Sequence, residues 1–119
     1  MKKTLVLGAS DNPSRYAYRA VHSLKNHGHE VVPVGIRQGK VAGLDIHTDR
    51  PALDDIDTVT LYVGPQNQPS WYDYILSLKP RRIIFNPGTE NPELERRAQQ
   101  QGIRTEEACT LVMLSIGNY

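Results

Sequence analysis

The sequence predicts an α/β fold: a doubly wound, three-layer parallel sheet of five strands with helices on both faces. Two observations predict it. Short runs of β-forming residues alternate with stretches of helical periodicity along the 119 residues, an order that implies parallel strands joined by right-handed crossovers. The run "VVPV" is also continuous in apolar character, as expected for a strand covered on both sides.

Each element has its own justification. Lys3–Leu7 is rich in β-formers and stops at Gly8, after which Ala17, Ala20, Val21 and Leu24 fall at the spacing of one helix face. Pro13 or Ser14 is expected to open that helix and Gly28 to end it. "HEVVPVG" is the second strand. Between Gly35 and Asp57 the pattern is irregular: "IRQGKVAGLDIHT" suggests a short extended piece and "DRPALDDID" a single helical turn. "TVTLYVGP" is the third strand. "NQPSWYDYILSLKP" reads as a helix with Asn67 or Ser70 as cap, Trp71, Ile75 and Leu78 on one face, and Pro80 as its stop. "RRIIFNPG" is the fourth strand. In "NPELERRAQQQG", Asn91 is the expected N-cap, Pro92 the first helical residue and Gly102 the terminator. A fifth strand, "IRTE", leads into a closing helix in "ACTLVMLSIG".

Size and charge narrow the function. The chain reads as one domain over residues 1–119, too short for a nucleotide-binding domain plus a separate catalytic one. Fourteen Lys and Arg against 13 Asp and Glu leave a formal charge of +1, which favours neither a nucleic-acid partner nor a membrane surface. The apolar run after "MKK" ends at Gly8, far short of a signal-peptide core or a spanning helix. One cysteine makes no internal disulfide, and a cytoplasmic location is expected. The sequence leaves a homodimer open.

In a doubly wound sheet, ligands bind beyond the carboxyl ends of the strands, where strand order reverses. The informative segments are therefore "GASDNPSRY", "PVGIRQGK", "YVGPQNQ" and "NPGTE". The first offers backbone amides and a following helix N-terminus, a natural anion cradle, although Ser10 and Pro13 stand where a full G-x-G-x-x-G would have glycine. An ordinary strand-to-helix turn is the alternative. The second segment discriminates between cofactors. An NAD site places a carboxylate there for the ribose hydroxyls, whereas this chain reads Pro33, Val34, Gly35, Ile36, Arg37. Arg37 and Lys40 instead suit a ribose that carries a phosphate, with Lys40 the stronger candidate. NADP and coenzyme A both have one. A small NADP-dependent oxidoreductase would need acid–base groups, but Tyr74 and Lys79 are five residues apart rather than the four that would put them on one helix face.

Taken together, "GASDNPSRYAYRA", "VVPVG" with a following "GK", "YVGP" and "NPGTENPELERRAQQQGI…EACTLVM" resemble the stand-alone bacterial coenzyme A-binding domain proteins. These share their fold with the amino-terminal domain of the succinyl-CoA synthetase alpha subunit. The resemblance covers nearly the whole chain. It implies a Rossmann-like domain that binds coenzyme A or an acyl-CoA, with no catalytic residue of its own. By position, the first loop at Gly8 and from Ser10 to Tyr16 would hold the phosphates: Ser10, Asp11, Asn12, Pro13, Ser14, Arg15 and Tyr16. Gly35 would follow the second strand and Lys40 would meet the nucleotide end. Tyr62, Val63, Gly64 and Pro65 would line the crevice, and Asn86, Pro87 and Gly88 would lie beside the pantetheine. The synthetase's first loop is richer in glycine. Its phosphorylated histidine lies in a second domain that has no counterpart here, so the ligase reaction does not carry over.

Other chemistry reads as structural. Cys109 precedes a helix, where its thiol could respond to oxidation, but burial at a strand-to-helix junction is the expectation. His27 and His29 flank a helix-ending glycine rather than marking a metal, and no metal site is expected. Asp54, Asp55 and Asp57 read as a solvated turn. Trp71, Tyr72, Tyr74 and Tyr18 read as packing, and so does Tyr16 unless it faces the ligand.

Overall fold

A computed structural model describes residues 1–119. Five parallel strands form the sheet in the order β2-β1-β5-β6-β7. They are β1 (Thr4–Leu7), β2 (Val31–Val34), β5 (Thr58–Leu61), β6 (Arg82–Phe85) and β7 (Arg104–Glu107). In chain order these are the second, first, third, fourth and fifth strands, so the direction of winding reverses between β1 and β5. The register is level: Thr4 lies beside Val31 and Thr58, Thr58 beside Arg82, and Arg82 beside Arg104. The carboxyl ends of all five strands therefore reach the same edge, and the loops that leave them share one crevice.

Strand alternation distributes the core between two faces. Leu5, Leu7, Val59, Leu61, Ile83 and Phe85 pack against α2 (Tyr72–Ser77) and α3 (Pro92–Gln100) through Ile75, Leu94 and Ala98. Val6 and Val31 pack against α1 (Tyr16–Asn26) and α4 (Thr110–Ile116) through Ala17, Val21, Leu24 and Leu114. Each fully buried leucine or isoleucine contributes about 1.5 to 3 kcal/mol relative to an exposed one. No helix is long and apolar enough to cross a membrane.

The expected elements form, with four differences of detail. Helix α1 begins at Tyr16, because residues before it are held in a turn by side-chain bonds, so neither Pro13 nor Ser14 opens it. Arg15 is its N-cap and gives no side-chain bond. The extended piece after β2 is a hairpin, β3 (Lys40–Val41) with β4 (Leu44–Asp45), turned by Ala42 and Gly43 at φ of 54° and 77°. Two positive φ values at a two-residue turn match the twist of paired strands. "DRPALDDID" contains no helical turn; it is an extended segment fastened by Tyr74 Oη donating to Pro51 O (2.8 Å) and by Arg50 over the Trp71 ring (3.9 Å). Finally, Pro65 and Pro69 each start a 3-10 turn, and α2 has Trp71 as N-cap rather than Asn67 or Ser70.

Candidate functional site

The crevice lies over the C-terminal ends of β1 and β5. Gly8 makes it close: its φ is 93°, and a Cβ there would stand 3.0 Å from both C and O of Tyr62. Only glycine lets the loop after β1 turn this tightly against the end of β5. Gly35 brings the end of β2 equally near, since its Cβ would meet Ala9 O at 2.6 Å.

The loop from Gly8 to Arg15 is shaped by its own side chains. Asn12 N donates to Ser10 Oγ (3.0 Å), while Asn12 Oδ1 accepts from Ser14 N (3.0 Å) and Ser14 Oγ (2.8 Å). Gly8 N and Ala9 N both donate to Val34 O. The amides of Ser10 and Asp11 and those of Tyr16, Ala17 and Tyr18 in the first turn of α1 donate to no protein acceptor. No acidic residue occupies that first turn, and Arg15 and Arg19 stand exposed beside it. Free amides, the positive end of an 11-residue helix and two cations form an anion cradle. The carboxylate of Asp11 leans on the backbone at Gly39, where a Cβ would lie 2.6 Å from Oδ2.

At the end of β2 the chain presents no acid. Ile36 is 82% exposed, an apolar surface that the sequence reading passed over because a lone isoleucine in a loop has no periodicity. Arg37 is exposed and makes no ion pair. Lys40 stands on the hairpin with its ammonium 3.6 Å from Asp45, and Lys25 Nζ donates to Ala42 O (2.7 Å), tying the hairpin to α1. A polar concavity of about 440 Å³ opens beside the hairpin between Gln38, Lys40, Asp45, His47 and Asp49.

The other wall is built from the loops after β5 and β6. Tyr62 turns its ring toward the α1/α4 side, and its buried hydroxyl has no partner. Burial is the main reason its phenol is pushed above the ordinary tyrosine range, with nearby Cys109 adding to it. So the backbone of Tyr62, not its ring, closes on Gly8. Asn86 is 2% exposed, and its side chain is spent internally. Its Nδ2 donates to Thr60 Oγ1 (2.7 Å) and Leu61 O (2.8 Å), and its Oδ1 accepts from Thr110 N (2.9 Å) at the start of α4. Pro87 and Gly88 are exposed, with Gly88 at φ 90°.

Gln68 and Asn91 join this wall, and the sequence reading gave the first no role. Gln68 is fully buried; its Nε2 donates to Val63 O and to Thr89 O, both at 2.8 Å. Its Oε1 accepts from Asn91 Nδ2 (2.8 Å), which also donates to Tyr72 Oη (2.8 Å). Asn91 Oδ1 meanwhile caps α3, accepting from Glu93 N and Leu94 N.

The residues considered for other chemistry are separate. His27 Nδ1 lies 2.7 Å from Ser23 O, and His29 Nδ1 accepts from Lys2 N (2.9 Å). Cys109 is partly buried at the N-cap of α4 and makes no capping bond. Tyr74 points to Pro51 on the α2 side, so it pairs with no lysine at the crevice.

This sheet, with its strand order reversing between β1 and β5, defines a Rossmann-like α/β domain. More narrowly, the chain belongs to the CoA-binding domain family, which it matches over residues 2–115. A crystal structure of an uncharacterized protein is similar at 58% identity, with a TM-score of 0.98, covering 100% of this chain and 98% of that one. A hypothetical protein from Pyrococcus horikoshii OT3 is 26% identical, with a TM-score of 0.84 over 97% of this chain and 82% of that one. A Thermus thermophilus protein at 22% identity and a TM-score of 0.82, covering 99% and 91%, shares the fold. No curated protein matches.

Proposed function

We propose that this domain binds coenzyme A, or an acyl form of it, across the strand ends and performs no chemistry of its own. The observation that carries the reading is the combination at β1 and β2. Unpaired amides wait at the start of α1, and Ile36, Arg37 and Lys40 stand where an NAD site would need an acid. The cradle would take the diphosphate, Ile36 would cover the adenine, and Lys40 or Arg37 would meet the 3′-phosphate. In this reading Ser10, Asn12 and Ser14 shape the cradle, and Gly8, Gly35 and Gly64 allow close approach. Asp11 and Asn86 act as supports rather than contacts. Family membership supports the cofactor.

The same cations would also suit the 2′-phosphate of NADP. The crevice offers no tyrosine–lysine pair to go with it, because Tyr74 is turned to Pro51. We read the protein as cytoplasmic, with a small-molecule ligand and neither nucleic acid nor membrane as partner. Mass spectrometry of ligand released from the purified protein tests the cofactor directly. Coenzyme A or an acyl-CoA is the expected result; recovery of NADP would overturn it.

A further inference from the structure

We propose that Gln68 and Asn91 are positioning residues that clamp the loops after β5 and β6 into one wall, and that this wall governs recognition of the ligand beyond its diphosphate. The inference rests on the coenzyme A reading above.

Geometry sets the direction of the ligand. The cationic side chains follow β2, the anion cradle follows β1, and β5 and β6 come next across the sheet. A ligand with its 3′-phosphate near Arg37 and Lys40 and its diphosphate on the cradle must extend its remaining arm over the ends of β5 and β6. That arm has amides and a thiol but no charge. It offers little electrostatic attraction, so its recognition depends on how well the wall's shape is fixed in advance.

Gln68 supplies that fixing. One amide nitrogen bridges Val63 O in the first loop and Thr89 O in the second, and its oxygen is held by Asn91 at the head of α3. A fully buried amide with both ends bonded is a strong geometric constraint, because any shift between the loops leaves a buried carbonyl without a donor. The opposite wall is braced differently, by backbone bonds from Gly8 N and Ala9 N to Val34 O and by the exposed Lys25 ammonium on Ala42 O.

Asn91→Asp isolates the clamp. The carboxylate keeps the oxygen that caps α3 but loses the donor to Gln68 and Tyr72. Tyr72→Phe is the control, since it removes only the second acceptor. Calorimetry would compare coenzyme A with adenosine 3′,5′-bisphosphate, which lacks the arm, at a temperature well below unfolding of each variant. Asn91→Asp and Gln68→Leu should weaken coenzyme A by about tenfold or more while leaving the bisphosphate within about twofold, and Tyr72→Phe should change neither. A general loss of folded protein would lower both ligands together, and that result, or no change in either, would overturn the clamp. Amide exchange of the free protein gives a readout that needs no ligand: residues 63–68 and 86–91 should lose protection together in Asn91→Asp. Independent exchange of the two loops would also overturn it. If the wild type bound neither compound while the loops exchanged together, the coenzyme A reading would fall and take with it the assignment of the arm.

Discussion

Lys40 carries its charge on a side chain that is 73% exposed and 3.6 Å from Asp45. Charge-assisted bonds are worth roughly 1.5 to 3 kcal/mol, but solvent screening and the competing carboxylate bring this one nearer about 1 kcal/mol. Calorimetry should show Lys40→Ala weakening coenzyme A several-fold while dephospho-coenzyme A is hardly affected; equal losses would place the lysine elsewhere on the ligand. His29 reports on the opposite end of the sheet. Burial, followed by the repulsion of the amino terminus, Lys2, His27 and Arg82, lowers its pKa from 6.5. Its ring packs on Tyr119, centroids 4.9 Å apart, and the neutral ring accepts the Lys2 amide. Below pH 6.5 the unfolded chain therefore takes up the proton before the folded one does, so this contribution is complete above that pH and is lost as pH falls below it. Melting curves across that range should show a steeper acid decline for the wild type than for His29→Asn, which keeps an acceptor but does not titrate. Parallel declines would remove His29 from the account.

Helix α1 ends in a motif whose worth can be measured. His29 N donates to Leu24 O and Gly28 N to Lys25 O, with Gly28 at φ 84°. A Cβ at Gly28 would meet nothing within 4 Å, so Gly28→Ala isolates the cost of the left-handed backbone. Chemical denaturation should show a loss of about 1 to 2 kcal/mol. At this scale much was readable beforehand. Local signals located α1, α3 and the five strands: periodicity at Ala17 to Leu24, the Asn-Pro start at Asn91, and glycines at the ends. The start of α2 was not readable, because Pro65 and Pro69 each begin a 3-10 turn, and proline in a first turn is equally compatible with the start of an α-helix. The site divides the same way. Strand-end loops follow from topology, but the roles of Asn86 and Gln68 depend on partners more than 20 residues away, which no local pattern reveals.

At the scale of the whole molecule, the level register puts every loop that leaves a strand's carboxyl end on one edge and leaves the opposite edge for stability. A ligand that takes only the folded state stabilises it by mass action, by about 2.7 kcal/mol at a hundredfold excess over Kd. Thermal melting should therefore shift upward with coenzyme A concentration and less with dephospho-coenzyme A, and an unmoved transition would leave the crevice without this ligand. The opposite edge is closed by a buried charge. Arg82, 2% exposed, donates to Thr58 Oγ1 (3.0 Å), sits 3.8 Å from Glu106 and lies against the Tyr119 ring, 4.5 Å from its centroid. Tyr119 is held in turn by Thr4 (2.6 Å) and by Lys2, whose ammonium donates to its carbonyl (2.6 Å).

Lys2 and Tyr119 thus meet at the foot of the sheet, by the amino ends of its strands and away from the loops that follow their carboxyl ends. A tether or fluorophore fastened near either residue would grip the molecule from beneath, and a biosensor made that way would keep its mouth turned to the solution.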